Sequence, residues 1–302
     1  MENKAKFRCE GENLEQIPEA VAAKTGVTFP GAHKDRKQMA LLAKELKAYK
    51  QDSVVRIPFC VTVEAEALGG DIQLGDERIG PRVRGYSFES LEEMRHMKEI
   101  DLENGRIGEV LECIPLLAGQ GETVALSVEG PFTIISSLID PMSFYKGLRK
   151  NREAAAKIIA SVEDSIVKYI REGLKRGARI ISYGDPVGAM DIVGPKLYAE
   201  VSGRSSYNIL KRIEPQLEAA AVHICGKTST AFEELGWAET VPVEFPEGIK
   251  YGEAINKVLE ERKDVKFIGH SCIKRSPFLL GGRVLWGIKL LADAETKEFT
   301  KC

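Results

Sequence analysis

Short apolar runs, each followed by a stretch of helical spacing, recur along the chain: Thr123–Val128 (TVALSV), Ala178–Tyr183 (ARIISY), Ala219–Cys225 (AAAVHIC) and Val265–Gly269 (VKFIG). Runs of this length, rich in β-branched residues, read as buried strands, and strands separated by helices pair in parallel. Two more strands are expected at Ser53–Cys60 (SVVRIPFC), where Pro58 marks the strand leaving the sheet, and at Thr240–Glu244 (TVPVE). Residues 26–29 and 82–86 are further strand candidates, and 70–90 read as an excursion between units. Helices are expected at 35–50, with Met39, Leu42, Leu46 and Tyr49 on one stripe, and at 141–176, with Ile159, Val162, Ile166 and Ile170 in register before the capping Gly177. Others follow around Ala254–Leu259 and from about Leu279. The alternation commits the chain to an α/β class. A length of 302 residues suits one large barrel of βα units. We therefore expect a single domain over 1–302, residues 1–52 forming a helical cap region.

A formal net charge of −2 without blocks of like charge argues against nucleic acid or an anionic membrane as the main partner. The opening segment MENKAKFRCEGENLEQ lacks the apolar core of a signal peptide, and no long apolar run follows, so a cytoplasmic protein is expected. Its six cysteines then read as free thiols or metal ligands in a reducing compartment, not as a disulfide framework.

Ligands of such sheets collect at the carboxyl ends of the strands. There the chain carries His223-Ile224-Cys225, whose first and third side chains point to the same side of an extended segment and can share one ion. Cys272, just beyond a later strand, is a candidate third ligand, with His270 as its alternative. Three such ligands leave zinc an open position for chemistry. The competing reading is a buried histidine beside a packed thiol. Glu64, Glu66, Glu129, Asp185 and Glu244 form a polar rim in this scheme. Glu64, Asp185 and Glu244 are its candidate catalytic carboxylates, and Glu129 and Tyr183 its candidate cofactor-binding residues. Cys9, Cys60, Cys113 and Cys302 read as structural or incidental, His33 and His96 as surface positions.

The segments GVTFPGAHKD with MALLA, VRIPFCVTVEAEALGG, VEGPFT, YGDPVGAMDIVGPK and HICGKTS, in this order, resemble the methylcobamide:coenzyme M methyltransferases of the uroporphyrinogen decarboxylase-like superfamily. The resemblance spans residues 26 to 275 approximately. It implies a (β/α)8 TIM-type barrel, here shortened or irregular at its C-terminal end. It also implies a zinc ion on His223, Cys225 and Cys272 that activates a thiol, such as coenzyme M, to take a methyl group from a methylcobamide on a partner corrinoid protein. Alternatives are a tetrapyrrole decarboxylase, for which the arginine-containing N-terminal signature is missing, and a non-catalytic zinc- or corrinoid-binding protein.

Overall fold

The computed structural model describes residues 15, 17–76 and 78–292. Three helices come first, α1 (Glu19–Thr25), α2 (Gly31–Lys34) and α3 (Arg36–Lys50). Asp35 caps α3 by accepting the N–H groups of Lys37 and Gln38, and Met39, Leu42 and Leu46 are its buried stripe. Strand β1 (Val55–Ile57) ends directly before Pro58, which has no N–H to offer a ladder. The next segment turns into α4 (Val63–Ala67), and β2 (Asp71–Gln73) with β3 (Arg82–Gly85) makes a separate antiparallel pair. Then follow α5 (Gly105–Ala118), β4 (Val124–Glu129), α6 (Pro131–Leu138), α7 (Pro141–Lys150) and α8 (Arg152–Lys175). Next come β5 (Ile180–Gly184), α9 (Met190–Val193), α10 (Pro195–Leu197), α11 (Gly203–Ile213), β6 (Ala221–Cys225) and α12 (Gly226–Glu234). The last elements are β7 (Ala238–Glu244), α13 (Tyr251–Glu261), β8 (Phe267–Ser271) and β9 (Val284–Leu290).

The main sheet runs β1-β4-β5-β6-β8-β9-β7. Its first five strands are mutually parallel, as the βα alternation requires, and β9 lies antiparallel between β8 and β7. Among the described residues β1 and β7 do not pair, so strand hydrogen bonds do not close the sheet into a ring. The helix α13 spans part of this gap: Asn256 Nδ2 donates to the carbonyl of Ser53 (3.3 Å) and Lys250 Nζ to that of Gln51 (2.8 Å), both just before β1.

Three expectations change. The segment from Leu279 ends in strand β9, not a helix. Val284, Leu285, Trp286 and Ile288 are strand formers, Gly287 disfavours a helix, and the free edges of β7 and β8 supply a ladder on both sides. Residues 26–29 form no strand, and 82–86 contribute β3 outside the main sheet. Glu64 and Glu66, expected on the rim at a strand end, sit instead on the helix α4.

Period-two alternation divides each parallel strand between two cores. Leu126, Val128, Ile181, Tyr183, Val222 and Ile224 pack towards the surrounding helices. Ala125, Ile180, Ala221 and Ile268 face a second cluster in which Ile255, Val258 and Leu259 of α13 fill the concave side of the sheet. No described helix is long and apolar enough to cross a membrane.

Candidate functional site

Above its apolar floor, the concave face becomes polar one layer at a time. Ala125, Ile180 and Ala221 pair in register; one step of two further along come Ser127, Ser182 and His223, and then Glu129 beside Gly184, with Cys225 ending β6. Because successive residues of one face lie two apart, the strand sequences Ala-Leu-Ser-Val-Glu and Ala-Val-His-Ile-Cys deliver their polar members to the same end. That end opens into a cavity of about 450 Å3, to which His223, Cys225, Cys272, Glu129 and Asp185 all contribute. A cavity of this size suits a small molecule.

The imidazole of His223 is buried, and desolvation pushes its pKa down to about 4, so the ring is neutral at physiological pH. Its Nε2 lies 2.9 Å from the hydroxyl of Tyr251, the first residue of α13, and the two rings meet edge to face. The Tyr251 hydroxyl also bonds the Ser271 side chain, next to Cys272, and thereby links the ends of β6 and β8. Of the two third-ligand candidates, Cys272 lines the cavity. His270 turns towards α12: its Nδ1 is 3.0 Å from Thr230 Oγ1 and its Nε2 3.4 Å from a Glu233 carboxylate oxygen.

The donor set, one neutral imidazole and two thiols on a single wall, has the chemistry of a zinc site. Among the described residues no three His, Cys, Asp or Glu side chains stand close enough to form a finished cage.

The carboxylates divide by environment. Asp185 is committed to the fold: it accepts from the N–H of Phe132 (3.1 Å) and from the N–H and hydroxyl of Thr133 (2.8 and 2.7 Å), capping α6, and from the N–H of Gly188 (3.3 Å). Burial raises its pKa, and these bonds oppose the rise. Glu64 is buried beneath the wall, accepts the backbone N–H of Glu129 (2.9 Å), and is pushed up to about 7 by desolvation. Glu129 reaches the cavity itself; burial and the neighbouring Glu64 and Asp185 hold its pKa well above the usual carboxylate range. Glu244 is exposed on β7 and does not line the cavity, because β7 is the outer strand of the sheet, beyond β9. Tyr183 lines the cavity, but its hydroxyl is spent on Ser206 of α11 (2.9 Å), on the far side of the strand.

Several contributors go unmarked by motif. Cys60 is no incidental thiol: it lines the cavity, and its Sγ accepts from Arg106 Nη1 at 3.0 Å. Arg106 also donates to Thr62 (2.9 Å) and to Glu66 (2.5 Å), which gives Glu66 its role. Arg56 and Lys274 add positive charge to the wall. The signal for Cys60 and Arg56 in the sequence is their position on the first strand unit, Arg56 within β1 and Cys60 just beyond it. His33, expected at the surface, is buried between Phe29 and Phe59. Cys113 is buried in the main core, and Cys9 and Cys302 lie outside the described residues.

The sequence profile of the uroporphyrinogen decarboxylase (URO-D) family matches residues 14–278. The methylcobamide:CoM methyltransferase MtbA of Methanosarcina mazei is 28% identical over 208 residues, covering 68% of this chain and 61% of MtbA. Its counterpart MtaA of Methanosarcina barkeri is 25% identical over 239 residues, 75% of this chain and 69% of MtaA. The chain thus spans only about three fifths of the MtbA relative's length. A solved methyltransferase from Methanosarcina mazei superposes with a TM-score of 0.62 at 24% identity, over 76% of this chain and 68% of its own, and shares the fold.

Proposed function

The chain belongs to the uroporphyrinogen decarboxylase family, and from that premise we propose that it transfers a methyl group from a corrinoid carried by a partner protein to the sulfur of a small thiol such as coenzyme M, using zinc held by His223, Cys225 and Cys272. The observation that carries this reading is the convergence of those three side chains on one cavity at the carboxyl ends of β6 and β8. Similarity to MtbA and MtaA supports the reaction class. A free thiol is mostly protonated at neutral pH, with a pKa of about 8.5. A zinc ion held by these residues would supply the positive charge that replaces that proton and keeps the sulfur nucleophilic.

The chain's own residues do the rest. Burial keeps His223 neutral, the form in which an imidazole ligates a metal. Tyr251 sets the angle of the imidazole, the kind of contact that orients a metal ligand. Asp185, by fixing the first turn of α6 against the loop after β5, holds two walls of the cavity together. A cavity of about 450 Å3 suits a small thiol.

The test follows methylcobalamin by its visible spectrum in the presence of the zinc-supplied chain and a panel of thiols. Thiol-dependent demethylation is expected, lost in His223→Ala, Cys225→Ser and Cys272→Ser. A zinc-loaded chain that leaves methylcobalamin untouched with every thiol defeats the proposal.

A further inference from the structure

The acids at the cavity are not equivalent. Asp185 is held by N–H and O–H donors, and Glu64 lies behind the wall with its carboxylate on a backbone N–H. Glu129 is only 9% exposed, lines the cavity, and has no described residue hydrogen-bonded to its carboxyl. Its carboxyl opens on the cavity with its hydrogen-bonding capacity uncommitted to the fold, so it is placed to meet whatever enters.

The charges around it say what that is. Glu64 on α4 and Asp185 after β5 face Glu129 with negative charge, and Lys274 of the short turn Ile273–Arg275 faces it with positive charge. Two acids and burial against one lysine favour the neutral carboxyl, which owns an O–H donor. A carboxylic acid kept neutral by its surroundings is a recognised device for donating a hydrogen bond to oxygen. Lys274 brings positive charge to that part of the cavity, whereas Arg56 is engaged by Glu15 (3.6 Å), Asp52 (3.9 Å) and the carbonyl of Ile273 (3.2 Å).

We propose that Glu129 is a specificity-determining residue that donates a hydrogen bond to an oxygen of the acid group of the small thiol, while Lys274 offsets the charge of that group. The identity of the ligand as a thiol rests on the methyl-transfer reading; the role of Glu129 does not depend on the sulfur.

Two probes separate the parts: ethanesulfonate, which has the acid group without the thiol, and 2-mercaptoethanol, which has the thiol without the acid. Calorimetric titration of the zinc-supplied chain is expected to show ethanesulfonate binding that weakens as pH rises, approaching about tenfold per unit once Glu129 ionises. Glu129→Gln keeps an N–H donor and cannot ionise, so it should bind within about threefold of wild type at neutral pH and lose that pH dependence. Glu129→Leu should lose about tenfold or more for ethanesulfonate, while 2-mercaptoethanol binds both variants as it binds wild type, which also reports that they are folded. The inference is overturned if wild type does not bind ethanesulfonate, if Glu129→Gln keeps the wild-type pH profile, or if Glu129→Leu binds ethanesulfonate undiminished. Failure of zinc to strengthen 2-mercaptoethanol binding instead removes the thiol reading and leaves the ethanesulfonate result to stand on its own.

Discussion

At the scale of single residues, Glu64 and His33 carry opposite linkages to pH. The Glu64 carboxyl is raised from 4.5 to about 7 by desolvation, so the folded state binds its proton more tightly than the unfolded state. Stability from this group is complete below pH 4.5 and is lost as pH rises through 7. Glu64→Gln keeps an acceptor for the Glu129 N–H and removes the charge. It should therefore stabilise the protein at pH 8 by on the order of 3 kcal/mol relative to wild type, and by little at pH 4, as read from urea unfolding at the two pH values. For His33, desolvation and the nearby Arg106 lower the pKa from 6.5 to about 4. The unfolded state then binds the proton more tightly, and stability falls as pH drops from 6.5 towards 4. The stability of His33→Leu relative to wild type should accordingly improve on acidification across that window, on the order of 1 kcal/mol per pH unit, with the same unfolding measurement as its check. Because the Glu64 and His33 windows overlap, wild type alone shows only their difference, and the two variants are needed to separate them.

Among the elements, the start of α6 is held unusually, since its N-cap is Gly130, which has no side chain to cap with. Asp185 from the loop after β5 supplies the missing acceptor to Phe132 and Thr133, and a Cβ at Gly130 would lie 2.4 Å from the Cβ of Asp185. Asp185→Ala should cost about 2–4 kcal/mol, because several bonds to a buried carboxylate are lost together. Gly130→Ala should cost about 1–3 kcal/mol by overpacking the same contact, and chemical denaturation measures both. The pairing of a glycine at the helix start with a remote aspartate is invisible in sequence, although Gly-Pro at 130–131 signals the helix start. Legibility elsewhere followed the strength of local periodicity. Strands β4, β5, β6 and β8 were readable because burial on both faces makes them continuous apolar runs, and α3 and α8 because their stripes are long. The segment from Leu279 is ambiguous in sequence because a short apolar stretch suits either state, and only the open edges of β7 and β8 decide it as β9. Glu244 ends a strand and so reads as a rim residue in sequence, whereas the strand order puts β7 at the edge, beyond β9. Tyr251 joins the site through a tertiary contact with His223 that no spacing announces.

For the whole molecule, the proposed zinc ligands come from two places that the chain must fold to bring together. His223 and Cys225 end β6, while Cys272 follows β8, after β7 and α13 have intervened. Parallel pairing of β6 with β8 fixes their relative height, with Cys225 opposite Ser271, and Tyr251 of α13 bridges the same two strand ends. An ion bound to all three therefore binds the folded chain and not the unfolded one, and its binding free energy adds to stability by mass action. Free zinc at about a hundred times its dissociation constant stabilises by roughly 2.7 kcal/mol. For a chain of this size that is a rise in Tm of roughly 5 °C. Differential scanning fluorimetry of the chelator-stripped chain, with and without zinc, should show this rise in wild type and its loss in His223→Ala, Cys225→Ser and Cys272→Ser. The Cys272 variant is the most informative of the three, because the His-x-Cys pair alone lies within one strand and gains little from the fold. A Cys272→Ser protein that keeps the full rise would mean that the ion is held without the end of β8, and the third ligand would then have to be sought elsewhere on the wall, where Cys60 is the remaining thiol among the described residues.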